Sequence, residues 1–262
     1  MLKIGLVGAG RIAWHLGKRL KAKGLPISQV LSRTPEHAQA LGETLGCAWS
    51  SRWADADPDT DWLILAVRDD AIGDVADELS VHVRQALVTH TSGATPGETL
   101  SPHFKRYGVF YPLQSFSPKR VPVWSKIPFC VHAGSEDDIL FLTKMAKTIG
   151  NLVYRVNDEQ RMALHIAAVF ANNFTNHCFA VAEKILDEKQ LPFELLHPLM
   201  EETIAKALHE SPLLMQTGPA VRADADTLAR HLEQLVHEPE LHRVYDVLTA
   251  SIQKMLPPPV EF

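Results

Sequence analysis

Residues 4–20, IGLVGAGRIAWHLGKRL, constrain this chain more than any other stretch. Ile4, Leu6 and Val7 form a short apolar run that reads as a buried strand. Gly8, Ala9 and Gly10 follow. Ile12, Leu16 and Leu20 then recur every four residues, as on one face of a helix. The order is strand, glycine turn, helix, with Ala13 as the third small residue of a G-x-G-x-x-A pattern. Gly8 permits the tight turn, Gly10 lets a pyrophosphate approach the backbone, and Ala13 lets the helix sit close to the strand. The N–H groups of the helix start, at Arg11 and Ile12, favour phosphate charge together with the helix dipole. Gly17 costs about 1 kcal/mol relative to alanine inside a helix, and its spacing from Ala13 points to close packing on the sheet. The blander alternative is a tight turn that holds no ligand.

A second strand covers 27–31 and runs into Ser32, Arg33 and Thr34. In a dinucleotide site, a carboxylate here binds the ribose 2′-hydroxyl and selects NAD. This chain places two hydroxyls and a guanidinium there instead, and Arg33 can fork onto a 2′-phosphate. NADP is therefore the expected cofactor. Thr34 also reads as the cap of the next helix, with Pro35 at its first position; the two readings are compatible.

That helix is expected to end at Gly46, followed by an acidic loop over 55–61. Residues 62–67 read as a buried strand, and an Asp of Arg68-Asp69-Asp70 as the cap of a helix from about Ala71. Further strands are expected over 86–91, 109–111, 129–132 and 151–156. Residues 112–128 read as irregular, and Ser135-x-x-Asp138 as the start of a helix to Ile149. Alternating strands and helices imply an α/β fold with a doubly wound, mostly parallel sheet. Ligands bind such sheets beyond the carboxyl ends of the strands. That rule nominates 8–11, 32–34, Ala66, Val67 and Arg68, then 90–93 with Thr91 and Ser92, and 111–115. His90 and Tyr111 also read as hydrogen-bonded core. Ser92 reads as a cap, not a nucleophile, because no G-x-S-x-G surrounds it.

From Asn157 the period is helical. A dinucleotide domain over 1–155 and an all-helical domain over 156–262 are expected. The helices fall at about 157–189, 193–210, 223–237 and 239–255, with Pro257, Pro258 and Pro259 as a terminator. Residues 162–182 carry no charge, yet His165, Asn172, Asn173, Asn176 and His177 would be expensive in lipid, so a buried helix of a soluble protein is expected. At 100° per residue, His165, Asn172 and Asn176 share a stripe and Asn173 lies about 80° away. The stripe faces a satisfied network, a partner chain or a substrate. Arg222 is a further candidate for an anionic substrate group; its alternative is a local ion pair beside Asp224 at a helix start.

A net charge of −5 gives no basis for general nucleic-acid affinity. Three widely spaced cysteines form no zinc pattern, so no metal is expected and a reducing, cytoplasmic setting fits. The first residues enter a strand, leaving no room for a signal peptide.

Taken together, VGAGRIA at 7–13, LSRT at 31–34, LAVRDDAI at 65–72, HTSG at 90–93, YPLQSFS at 111–117, LHIAAVFANNF at 164–174 and TGPAVRAD at 217–224 carry a resemblance that covers nearly the whole chain. The chain resembles uncharacterised NADP oxidoreductases that join a Rossmann domain to a helical C-terminal domain like that of 6-phosphogluconate dehydrogenase. Their relatives include β-hydroxyacid dehydrogenases, pyrroline-5-carboxylate reductase and ketopantoate reductase. The resemblance implies NADP over 8–13 with Arg33 near its 2′-phosphate, and the nicotinamide toward an interdomain cleft near 90–93. It also implies a homodimer through the helical domains, each active site being completed from both subunits. One departure stands out. β-Hydroxyacid dehydrogenases carry K-x-x-N-N on this helix, with the lysine as proton-transfer group, and here Val169 precedes Asn172 and Asn173. Tyr111 likewise stands where related dehydrogenases often carry a histidine before the proline.

The expected activity is hydride transfer between NADP(H) and a small carbonyl, imine or hydroxyl compound. His165 would move the proton, Asn172 or Asn173 would orient the substrate, and Arg222 would hold an anionic group. A deazaflavin-linked reductase is a variant of this reading. The missing lysine motivates the alternative, a non-catalytic NADP(H) sensor. Arg33 argues against a methyltransferase, which usually wants an acidic residue there.

Overall fold

The computed structural model describes residues 2–255, which form two compact units meeting at the Asn172–Asn173 bond. The first holds β1 (Ile4–Val7), α1 (Arg11–Ala22), β2 (Ile27–Leu31), α2 (Pro35–Leu45), β3 (Ala48–Ser50), β4 (Trp62–Leu65), α3 (Ile72–Ser80) and β5 (Leu87–His90). It continues with β6 (Tyr107–Pro112), β7 (Pro128–Ala133), α4 (Glu136–Ile149), β8 (Leu152–Arg155) and α5 (Asp158–Ala168). The strands make one sheet in the order β3-β2-β1-β4-β5-β6-β7-β8. β1 to β6 run parallel, while β7 is antiparallel to β6 and parallel to β8. This is the doubly wound, mostly parallel sheet expected. Parallel neighbours need a long crossover; β6 and β7 are instead joined by the irregular 113–127 segment, which turns the chain back.

Period-two side chains feed two cores, one on each face of the sheet. Ile4, Leu6, Leu16, Trp62 and Phe110 pack on one side, and Val7, Leu63, Leu65, Val75 and Leu79 on the other. Trp62 is fully buried, and its indole N–H donates to Thr89 Oγ1 at 3.0 Å. Gly17 is where α1 touches the sheet: a Cβ there would lie 2.9 Å from both Leu6 and Leu45. Close packing is thus the reason for that glycine.

Three local expectations change. β3 has no signature in the sequence, because three residues around an exposed Trp49 make no apolar run; pairing with β2 creates the strand. The Asp69–Ala71 turn is a short 3₁₀ segment and α3 starts without a side-chain cap, since Asp70 pairs with Arg68 at 2.6 Å. Ser135 Oγ does accept the Asp138 N–H, but the Asp138 carboxylate takes Arg106 and the Ser135 hydroxyl instead of closing a capping box.

The helical pattern starts at Asn157, whose side chain and Gln160 form a full capping box. α5 nonetheless belongs to the sheet-bearing unit. The helix read over 157–189 runs through a π segment, Val169–Phe174, into α6 (Thr175–Asp187). The second unit continues with α7 (His197–His209), α8 (Ala225–Gln234) and α9 (Pro239–Met255). The 257–259 terminator lies outside the described residues. Among the described residues, no helix is long and apolar enough to cross a membrane.

Candidate functional site

The turn after β1 is shaped by two glycines with different duties. Gly8 has φ +99°, and a Cβ there would lie 2.4 Å from the Ala66 carbonyl oxygen, so a side chain is excluded on both counts. Gly10 has φ −79° and a Cβ would meet nothing within 4 Å. The space beside Gly10 is therefore open at the start of α1, where the first N–H groups lack intrahelical partners. The first turn of α1 carries no carboxylate to compete with an incoming anion. Gly10, Arg11 and Ile12 line a cavity of about 380 Å³ with Ala66, Val67 and Arg68 from the end of β4, and with Gln114 and Phe116 from beyond β6. β1 and β4 are neighbours although distant in sequence; that is the reversal in strand order where such sheets bind ligands. The arrangement fits a nucleotide pyrophosphate.

At the end of β2, Ser32 is buried and its N–H donates to Ser50 O at 3.1 Å, while Arg33 and Thr34 are exposed. Thr34 holds the N-cap position of α2, yet its side chain makes no capping bond. The hydroxyl thus does not serve as the local cap that the alternative reading required. Ala9 packs partly against the core, and Ser32, Arg33, Thr34, Thr91 and Ser92 do not line the cavity.

The end of β5 forms a second cluster. His90 is fully buried; its Nδ1 accepts the Ser92 N–H at 3.2 Å, so its Nε2–H donates to Pro96 O at 3.3 Å. Burial first, and Arg161 second, push its imidazole down to about 4. His90 is a neutral core residue. Ser92 Oγ accepts the N–H groups of Ala94 and Thr95, so it fixes a turn. Thr91 is buried, and its N–H donates to Leu65 O. The whole loop is held by Arg161, which was not singled out in the sequence. Its side chain is 1% exposed, and it donates to Asp158 at 2.6 Å and to Thr95 O at 2.5 Å, while Asp158 also accepts the Gly97 N–H. The i,i+3 spacing from Asp158 was visible, but the burial was not.

His165, on α5, meets Tyr111, on β6, with Oη 3.3 Å from Nδ1 and the rings edge-on at 6.2 Å. Burial pushes the Tyr111 phenol up to about 12. It therefore keeps its proton, and the hydroxyl can donate to a bare Nδ1 or accept from Nδ1–H, according to the tautomer of the ring. A Cβ on Gly93 would lie 2.5 Å from His165 Nδ1 and 2.9 Å from the Tyr111 ring. Gly93, Tyr111 and His165 thus meet; the carboxyl-end rule nominates the first two, and His165 comes from the helix stripe.

The asparagine stripe needs correction. A π turn bonds i to i+5, so the even 100° step does not carry from His165 to Asn176. Asn172, Asn173 and Asn176 are exposed on this chain, which rules out a buried network within it. Asn173 and Arg222 lie in the second unit. Arg222 is exposed beside Asp224, which caps α8 by accepting the Thr227 N–H at 3.1 Å. Among the described residues, no three His, Cys, Asp or Glu side chains are placed to hold a metal.

A family model described as NADP oxidoreductase, coenzyme F420-dependent, matches residues 3–93, and one described as a domain of unknown function, DUF2520, matches 127–252. The crystal structure of a putative NADP oxidoreductase from Bacteroides fragilis is 38% identical, with a TM-score of 0.90, over 97% of this chain and 98% of that one. An imine reductase from Myxococcus stipitatus in complex with NADP+ is 18% identical, with a TM-score of 0.72, over 96% and 93%. A pyrroline-5-carboxylate reductase from Coxiella burnetii is 15% identical, with a TM-score of 0.59, over 97% and 98%. These last two likenesses concern the fold. No curated protein sequence matches the chain.

Proposed function

Because this chain belongs to the NADP oxidoreductase family of the Bacteroides fragilis protein, we propose that it transfers a hydride between NADP(H) and a small carbonyl, imine or hydroxyl compound. It is an oxidoreductase with NADP(H) as its cofactor. The observation that carries the finer reading is the open face of Gly10 at a carboxylate-free helix start, with Arg33 and no acid after β2.

When bound, the nicotinamide supplies the hydride chemistry; the chain supplies binding and the proton. The turn over 8–10 and the N–H groups at Arg11 and Ile12 receive the pyrophosphate, and Arg33 with Ser32 and Thr34 receives the 2′-phosphate. Val67, Arg68, Thr91 and Ser92 shape the strand ends beyond it. His165 moves the proton from Nε2. The Tyr111 hydroxyl can donate to Nδ1 of the neutral ring and accept from Nδ1–H of the charged ring, so the ring stays oriented in both states. Asn172 or Asn173 offers an amide to the substrate. Gly93, Tyr111 and His165 meet within the first unit, and a mere cofactor sensor needs no such convergence.

We also propose a cytoplasmic homodimer built through the helical unit. Leu195, Leu199, Leu208 and Leu214 are 62–74% exposed there, and Ala220 is its one described side chain among the buried hydrophobics. A helical unit with so little core needs a partner surface.

Titration calorimetry with NADPH and NADH tests the cofactor half. Tight NADPH binding, weaker NADH binding and loss of that difference in Arg33→Ala are expected. Equal affinity for both nucleotides in the parent protein would sink the assignment of Arg33. A His165→Ala variant with unchanged turnover on a reduced substrate would remove His165 from the mechanism.

A further inference from the structure

The segment between β6 and β7 lines a second, open cavity, of about 490 Å³, within the first unit. Its polar lining is Gln114, Ser115, Ser117, Arg120, Lys126 and Asn172, and 121–123 give it an apolar wall. Gln114 lines both this cavity and the one at the glycine turn. The two are neighbours that share a side chain.

The chain carries net −5, yet this cavity holds two cations and no carboxylate. Arg120 and Lys126 form no ion pair among the described residues. Two like charges on one concave surface repel each other until an anion enters. The segment is also anchored. Phe116 and Trp124 are buried, Trp124 stacks on Phe129, and the His15 Nε2–H donates to Ser117 O at 2.9 Å, tying the segment to α1.

We propose that this cavity binds the anionic group of the substrate, so that the reacting compound is a short-chain oxo or imino compound bearing a carboxylate or a phosphate. Arg120 supplies a planar fork and Lys126 a point charge. Gln114, the serines and Asn172 add neutral hydrogen bonds, and the 121–123 wall accepts a small carbon skeleton. The identity of the reaction rests on the oxidoreductase reading; the anion site does not.

The test is titration of inorganic phosphate and, separately, pyruvate into the full chain, with and without NADPH, followed by amide chemical shifts. Saturable shifts centred on 114–126 are expected from at least one probe. Arg120→Gln/Lys126→Gln should weaken that binding by about tenfold or more, and Lys119→Gln, on the same loop but outside the lining, should leave it unchanged. Both substituted positions are exposed, so the fold is retained. Preference for phosphate assigns a phosphorylated substrate, and preference for pyruvate a carboxylate. Absence of saturation with both probes, or equal weakening by Lys119→Gln, overturns the proposal. Anion binding that persists while NADPH fails to bind would keep the anion site and discard the hydride-transfer reading.

Discussion

His90 and His165 occupy neighbouring parts of one cluster under opposite circumstances. Both ring nitrogens of His90 are committed to backbone groups and the ring is fully buried. Its folded-state value near 4 lies below the ordinary value of 6.5. Between those limits the unfolded chain binds the proton and the folded chain does not, so stability falls as pH falls. The loss amounts to roughly 3 kcal/mol by about pH 4. Urea unfolding at pH 7 and pH 4.5 should show this slope in the parent protein and a flatter one in His90→Gln. Arg161 is the costlier residue to disturb. Its removal leaves Asp158 and Thr95 O without their charged donor, and Arg161→Ala should lower stability by about 3–5 kcal/mol, read as a lowered unfolding midpoint. Gly93→Ala should instead act on function, because the new Cβ would push directly on His165; turnover should drop with NADPH affinity held.

At the scale of elements, the β1 turn and α1 separate folding from binding. Gly8→Ala meets both a positive φ and the Ala66 carbonyl, and should cost about 1–3 kcal/mol of stability. A Cβ at Gly10 enters open space, so Gly10→Val should cost only about 1 kcal/mol, that of a poorer N-cap residue, while NADPH affinity measured by calorimetry falls roughly tenfold or more. A Gly10→Val variant that binds NADPH normally would mean the turn holds no pyrophosphate. The same elements mark what was legible. β1, α1, β2 and α2 follow from apolar period and turn residues, which are local. β3 was not legible, since an exposed three-residue strand exists by pairing alone. The π segment was not legible either, since its composition is that of an ordinary helix; the stripe drawn through it failed for that reason.

At the scale of the molecule, the exposed leucines of the second unit predict self-association. Sedimentation equilibrium should give twice the mass of one chain, and Leu208→Arg, at a 74% exposed position, should shift the protein toward monomer. A monomeric parent protein would remove the dimer from the proposal. By itself the sequence determined the order of elements, the glycine turn, the hydroxyl–guanidinium–hydroxyl end of β2 and the change to helix at Asn157. Each of these is written in neighbouring residues through period, capping and backbone freedom. Tertiary structure alone decided that Arg161 is buried and clamps the β5 loop, that Tyr111 and Gly93 fix the ring of His165, and that Arg120 and Lys126 share a cavity with no acid. Those facts depend on which distant side chains meet, and on the cost of leaving a buried polar group unpaired. No local pattern encodes either.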